Sequence, residues 1–441
     1  MQKQDSNRRD FLKTSGAAAT AAAVAVSIAS KAHAAGNDLI RVALIGAGGR
    51  GRGAAVDCVK AGGNVKIVAV ADAFEANAKG TAAAITKECK DKADIPPERI
   101  FVGLDAYKKA IDCGVDMVIL ATPPGFRPQH YEAAIEAGKH VFMEKPVCVC
   151  PGGFRKVMAA NKKAQEKNLK VGVGLQRHHQ SGYLGTMQAI QDGKFGEIHC
   201  LRAYWNGQDI WYRGKKDDMT ELQFQVHNWY HFMWLSGDNI CEQHIHNIDI
   251  GNWVMSTVLN VEGENYAHPI EANGMGCNLT RGYNGKDKRG QLFDAHFVEF
   301  TYDTGTKMIS QCRHQPGTWT SVSEHIHSSK FPKGAGASGQ GPKLQFDNPY
   351  VQEHYDLQQA IAGDKKFHEG WLGAISSMTA ILGRTATYTG QVVKWNDLVN
   401  NGADSFPTDI SSWGSPAPVQ PDANGMYPIP LPGQYKYPKK A

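Results

Sequence analysis

The 441-residue chain contains no C-x-x-C pair, no internal repeat, and no apolar run of about twenty residues beyond its N-terminus. These absences exclude a zinc ribbon, a solenoid, and a membrane-spanning helix in the body of the chain. Nine cysteines, an odd number, are scattered from Cys58 to Cys312. Their spread does not outline a disulfide framework, so most are expected to be small buried hydrophobes, with one disulfide left open in an oxidising compartment. Charge of one sign is also scarce. The net charge is +5, and residues 1–34 carry five basic side chains against two acidic ones. The remaining body is near +2, too weak and too dispersed for nucleic acid. With 42% hydrophobic and 21% charged residues, the chain is neither disordered nor fibrous. Its length suggests two or three domains.

What is present begins with an address. Asn7-Arg8-Arg9-Asp10-Phe11-Leu12-Lys13 precedes a small-residue apolar run from Gly16 to Ala29, then Ala32-His33-Ala34. A basic head, a modest apolar segment and an A-x-A site read as a cleaved signal. The arginine pair before Phe-Leu-Lys resembles a twin-arginine export signal, which implies the twin-arginine machinery as a partner and a periplasmic destination. That route carries proteins already folded, so a cytoplasmic cofactor can be taken up before export.

The next segment reads as a nucleotide-binding unit. Residues 39–45 form an apolar run of strand length, followed at once by Gly46-Ala47-Gly48-Gly49-Arg50-Gly51 and a helical stretch over about 53–61. A second strand, 65–71, ends at Asp72. Gly46 permits the tight turn, Gly48 lets backbone approach a pyrophosphate, and Gly51 lets helix and strand pack closely. Free N–H groups at the helix start hold phosphates. Asp72 is placed to accept the ribose hydroxyls of NAD and to repel a 2′-phosphate. Arg50 and Arg52 keep NADP as the alternative. Strands over 115–121, 140–143 and 170–175 alternate with helices over 128–137 and 151–168, predicting a doubly wound parallel sheet of the Rossmann kind. Gly46, Asp72, Thr122 and Lys145 fall at strand carboxyl ends and should share one crevice.

Together with Ala121-Thr122-Pro123-Pro124, Glu144-Lys145-Pro146, His246-Asn247-Ile248-Asp249 and Gly383-Arg384-Thr385-Ala386, the glycine loop resembles the Gfo/Idh/MocA oxidoreductases over residues 38–400. The resemblance implies an α/β fold: an N-terminal Rossmann domain, then an α/β domain with an open, mainly antiparallel sheet. The expected division is a signal over 1–34, a cofactor domain over 35–177, a substrate and oligomerisation domain over 178–400, and a proline-rich arm over 401–441. The arm holds eight of the chain's 20 prolines and reads as extended. Strands are expected at 198–205, 271–279, 295–302 and 307–313, with a hairpin turn at Asp303-Thr304-Gly305. Residues 314–349 read as an irregular rim loop. Helices are expected at 351–362 and 370–388.

The same resemblance places Lys145 beside substrate and nicotinamide as the proton relay, with Glu144 positioning. The family often has Asp-x-x-x-His where this chain has Glu242 and His246. In one continuous helix, Glu242, His246 and Asp249 would share a face while His244 points elsewhere. A metal held by these four is not expected, because residues two apart suit a strand or loop better. The expected catalytic set is therefore Lys145, His246 and Glu242. Gly46, Gly48, Gly49, Arg50, Gly51, Asp72, Thr122, Pro123, Glu144 and Lys145 are expected at the cofactor. Arg177, His178, Asn228, Trp229 and Asp249 are expected at the substrate, within an aromatic-rich region that also contains Trp205, Trp211 and Trp234. These residues point to an exported NAD(P)-dependent oxidoreductase acting on a secondary hydroxyl of a sugar or cyclitol, with its cofactor held tightly and a homo-oligomer by analogy. The alternative is a glycoside hydrolase that uses bound NAD through oxidation, elimination, hydration and re-reduction.

Overall fold

The computed structural model describes residues 38–278, 289–407 and 410–440. The signal segment, residues 1–34, lies outside them. Near-continuous apolar runs build the first sheet: β1 (Ile40–Ile45), β2 (Val65–Asp72), β3 (Ile100–Val102), β4 (Met117–Leu120), β5 (His140–Met143) and β6 (Val171–Val173). Their order is β3-β2-β1-β4-β5-β6, and every pairing is parallel. Both faces are covered, which is why the strands read as unbroken Val, Ile and Leu rather than as alternation. Val42 and Leu44 enter one buried cluster, Ala43 and Ile45 the other. Each is fully buried or nearly so, and truncating Leu44 to Ala would cost about 2–5 kcal/mol. The strand order reverses between β1 and β4, which opens a crevice at their carboxyl ends.

The helix after β1 runs Gly49–Lys60, four residues earlier than the sequence suggests. Glycine is a poor helix former, but packing overrides that preference. A Cβ on Gly51 would stand 1.9 Å from the Gly46 carbonyl oxygen, so the glycines bring this first turn directly against the β1 corner.

The second sheet contains β7 (Ile198–Gly207), β8 (Glu271–Cys277), β9 (Ala295–Thr301), β10 (Lys307–His314), β11 (Ser321–Ser328), β12 (Ala335–Gly336) and β13 (Val393–Lys394). Its order is β12-β11-β7-β10-β9-β8-β13, with only β7 and β10 parallel. Along β10 alternate residues are buried, and the helices lie across the sheet, Ile245–Leu259 on β7 and β11 and Gly370–Thr389 on β8 and β9. β11 and β12 correct the expectation of an irregular loop over 314–349. The strand was obscured because one of its inward positions is Glu324, which lies buried against Arg177 rather than being an apolar residue.

Two helices return to the first domain. Pro349–Ala362 lays Leu357 and Ile361 into the β1–β2 core, and Gln358 accepts from the Gly63 N–H at 3.1 Å and donates to the Cys58 carbonyl at 2.7 Å. Gly370–Thr389 is buried along almost its whole length. It joins the two domains: Ser377 Oγ accepts from Val147 N–H, and Arg384 donates to the carbonyls of Val149 and Gly237. The proline-rich arm wraps its own body. Ala417 and Tyr427 join Phe126, Leu222, Phe224 and Trp234 in a third apolar cluster, and Thr220 Oγ1 donates to the Trp413 carbonyl at 2.9 Å. No disulfide joins any of the nine cysteines.

Candidate active site

The crevice at the β1, β2 and β4 ends encloses about 350 Å³. Its floor is the glycine loop. Gly46 has φ +98°, and a Cβ there would lie 2.4 Å from the Thr122 amide nitrogen, so only glycine makes this corner. Gly48 and Gly49, by contrast, face open space within 4 Å. That is where a pyrophosphate would lie against backbone. The following helix has no side-chain cap and no acidic residue in its first turn, leaving its first N–H groups and the positive end of its dipole for an anion. The residues present fit a dinucleotide.

Asp72 lines the same crevice. Its carboxylate accepts from the Ala47 N–H at 2.7 Å and the Phe74 N–H at 2.8 Å, which ties β2 to the glycine loop. Burial pushes its pKa up, and those backbone donors oppose the shift. The carboxylate also accepts from Asn77 Nδ2 at 3.3 Å. Neither loop arginine pairs with it. Arg50 Nε donates to Glu144 at 2.6 Å, and Arg52 donates to Glu88 at 3.0 Å. Both are therefore engaged away from Asp72.

The corner at Thr122-Pro123 has a support that sequence reasoning missed. Arg127 is fully buried and donates to the carbonyls of Leu120 and Thr122. Burial lowers its pKa to about 10. The roof was also missed in part. Trp211 and Trp229 meet edge to face at 5.8 Å, and Arg213 lies 4.7 Å from the Trp211 ring. Phe74, on the crevice wall, stacks on Trp413 of the arm at 5.0 Å and 27°. Trp211 and Trp229 fall in the aromatic-rich region that the sequence points to, whereas Phe74, Arg213 and Trp413 carry no local signal that would join them to it.

Behind Arg50 and Glu144 sits the second group. Lys145 Nζ donates to the Glu242 carbonyl and, at 3.1 Å, to Glu242 Oε1. Both side chains are nine-tenths buried. Among the described residues Glu242 Oε2 has no partner. His246 is stacked on Trp205 at 5.9 Å and 25°, and its Nδ1 likewise has no partner among them. Burial drives the His246 pKa well below 6.5, reinforced by Lys145, Arg177 and Arg50. The imidazole is therefore neutral at neutral pH. A carboxylate oxygen, a neutral ring nitrogen and a lysine are thus gathered with bonding capacity that the protein leaves unfilled.

The expected continuous helix across these residues is broken. Asn239–Glu242 ends, Gln243 and His244 turn, and Ile245–Leu259 begins. Glu242, His246 and Asp249 consequently reach different partners, and His244 turns to Ser310 Oγ at 2.7 Å. The cofactor residues Gly46, Gly48, Gly49, Arg50, Gly51, Asp72, Thr122 and Pro123 line the crevice together. Glu144 and Lys145 stand behind it. Of the five residues expected at the substrate, only Trp229 lines the crevice. The others are satisfied internally: Arg177 pairs with Glu324, His178 Nε2 lies 2.7 Å from Asp249 Oδ2, Asp249 accepts from Ser376 Oγ, and Asn228 Oδ1 accepts from the Arg213 N–H. These contacts tie the four side chains into the framework.

Comparison with known proteins agrees with this geometry. Residues 40–175 match the Gfo/Idh/MocA family model, described as an oxidoreductase family with an NAD-binding Rossmann fold. Residues 5–25 match the twin-arginine translocation signal. The inositol 2-dehydrogenase of Rhizobium meliloti (strain 1021) is 31% identical over 162 residues, covering 37% of this chain and 44% of that protein. That of Klebsiella pneumoniae subsp. pneumoniae is 27% identical over 200 residues, covering 45% and 55%. The chain thus spans about half the length of the curated relatives it matches. The scyllo-inositol dehydrogenase of Lactobacillus casei, solved with bound NAD(H) and scyllo-inositol, shares the fold at a TM-score of 0.59 and 18% identity, covering 81% of this chain and all of that one.

Proposed function

We propose that this chain, whose residues 40–175 are an NAD-binding Rossmann domain of the Gfo/Idh/MocA oxidoreductases behind a twin-arginine signal, is an exported, periplasmic NAD-dependent dehydrogenase of a sugar or cyclitol secondary hydroxyl. The observation that carries the reading is the buried Lys145–Glu242–His246 group beside the glycine loop. Bound nicotinamide supplies a hydride acceptor. The protein must then manage the hydroxyl proton and hold the carbon in place. Lys145 relays that proton, with Glu242 Oε1 fixing its amine at 3.1 Å. His246 stays neutral and hydrogen-bonds a substrate hydroxyl through its free Nδ1, and the unpaired Glu242 Oε2 accepts from a second hydroxyl. Arg50, held by Glu144, links this group to the loop that carries the pyrophosphate. Residues 35–177 hold cofactor, 178–400 hold substrate, and 401–441 brace the roof. The outer face of the second sheet presents Met275 opposite Phe297, both exposed, which suits a homo-oligomer contact.

The relatives named above are dehydrogenases, and nothing in the site favours the glycosidase alternative. The test is to purify the exported protein without added cofactor, denature it, and identify released nucleotide by mass spectrometry. Near-stoichiometric NAD, followed by nicotinamide reduction with an inositol or sugar, supports the reading. Absence of NAD and of binding to added NAD sinks it.

A further inference from the structure

A second cavity, of about 520 Å³, lies away from the nucleotide crevice and shares no residue with it. It sits between the C-terminal half of the helix Ile245–Leu259, the segment 260–266, and the start of the helix Gly370–Thr389. Its size is within the range of about 300–1,000 Å³ usual for small-molecule sites. Its lining is aromatic and polar together: Trp253, Trp371, Tyr266, His178, His368 and Asn260. His178 stacks on Trp253 at 4.0 Å and 25°, and its Nε2 is fixed by Asp249, so this wall is rigid.

One donor there is unused. Trp371 is 3% exposed, and its indole N–H has no partner among the described residues. An unpaired buried donor is costly unless something else accepts from it. Among the described residues no lysine or arginine lines the cavity, whereas the nucleotide crevice has Arg50 and Arg213. A phosphate or other anion therefore has no counter-charge here. Burial lowers the His368 pKa to about 4, so that ring adds no charge at neutral pH. Flat rings, an indole donor, an amide and a phenol suit C–H faces and hydroxyls presented by one ligand.

We propose that this cavity is a binding site for an uncharged polyhydroxylated ring, a monosaccharide or cyclitol, separate from the place of hydride transfer. The inference is independent of the reaction proposed above, because it uses none of Lys145, Glu242 or His246.

The test is equilibrium dialysis of the full NAD-loaded protein against radiolabelled D-glucose, D-galactose and myo-inositol, with inorganic phosphate and benzyl alcohol as comparators. Trp371→Phe keeps the ring and removes the donor. Gln191→Trp covers the mouth from an exposed rim position. The expected result is a site for at least one of the three polyols that persists in Lys145→Ala. Trp371→Phe should weaken that site roughly five- to tenfold, and Gln191→Trp should abolish it. If Trp371→Phe does not fold, as judged by circular dichroism, Gln191→Trp decides alone. Absence of any polyol site sensitive to these changes overturns the proposal, as does preferential occupation by phosphate or benzyl alcohol.

Discussion

The two halves of the site are built differently. The nucleotide crevice is shaped mainly by backbone. Glycines allow its corner and leave room at Gly48 and Gly49, and even Asp72 spends its hydrogen bonds on main-chain N–H groups. The Lys145 side is shaped by side chains that meet across long stretches of sequence: Lys145 with Glu242, and Arg177 with Glu324. A backbone site tolerates changes that add no atoms to crowded places. A paired site fails when either partner is removed, because the other is left buried and unsatisfied.

The contrast can be broken most severely at Lys145. Lys145→Ala should lower kcat/KM by roughly 10²–10⁴-fold while the purified protein still releases a full complement of NAD on denaturation. Loss of NAD as well would mean the halves are not separable. Glu324→Ala should come next. It strands Arg177, and a destabilisation of about 3–5 kcal/mol is expected from urea unfolding. Within the crevice, Gly51→Ala and Gly49→Ala form a matched pair. The first drives a Cβ into Gly46 and should weaken NAD binding about ten- to hundredfold, while the second points into open space and should cost less, by calorimetric titration. Equal effects would show that flexibility, not crowding, governs the loop.

A gentler effect is spread over pH. His179 lies 2.6 Å from Asp356 and 2.8 Å from Glu369. Burial opposes its charge, but Glu369 and Asp356 prevail and raise its pKa to about 10. The pKa is raised on folding, so the stabilisation is complete below about pH 6.5 and is lost as pH rises through about 10. Melting temperatures of His179→Gln should therefore fall less than those of the native chain between pH 7 and 10. Smallest of all, Trp413→Ala should speed NAD release a few-fold by removing the stack on Phe74, measured by chasing labelled NAD.

The backbone half was the legible half. A strand, a glycine loop, a helix and an acid at the next strand end are local patterns, so β1, Gly46–Gly51 and Asp72 could be placed before any fold was known. Alternation likewise exposed β9 and β10. What stayed hidden depended on partners. β11 carries a glutamate at an inward position, sensible only beside Arg177. The turn at Gln243-His244 interrupts residues whose spacing suits an unbroken helix. Arg127 gives no sign in sequence that it is a buried cation holding the β4 corner. The Lys145–Glu242 contact joins positions 97 residues apart, and only a family resemblance links them in sequence.

The stack of Trp413 on Phe74 also has a consequence for the order of events in the cell. Phe74 is made with the parallel sheet, and Trp413 only after the second sheet and the two returning helices. The crevice wall at Phe74 therefore gains this backing only once the segment around Trp413 has been translated. Tight holding of NAD is expected to follow that step. A message truncated before codon 413 should yield a protein with every loop glycine in place and a cofactor that leaves a few-fold faster.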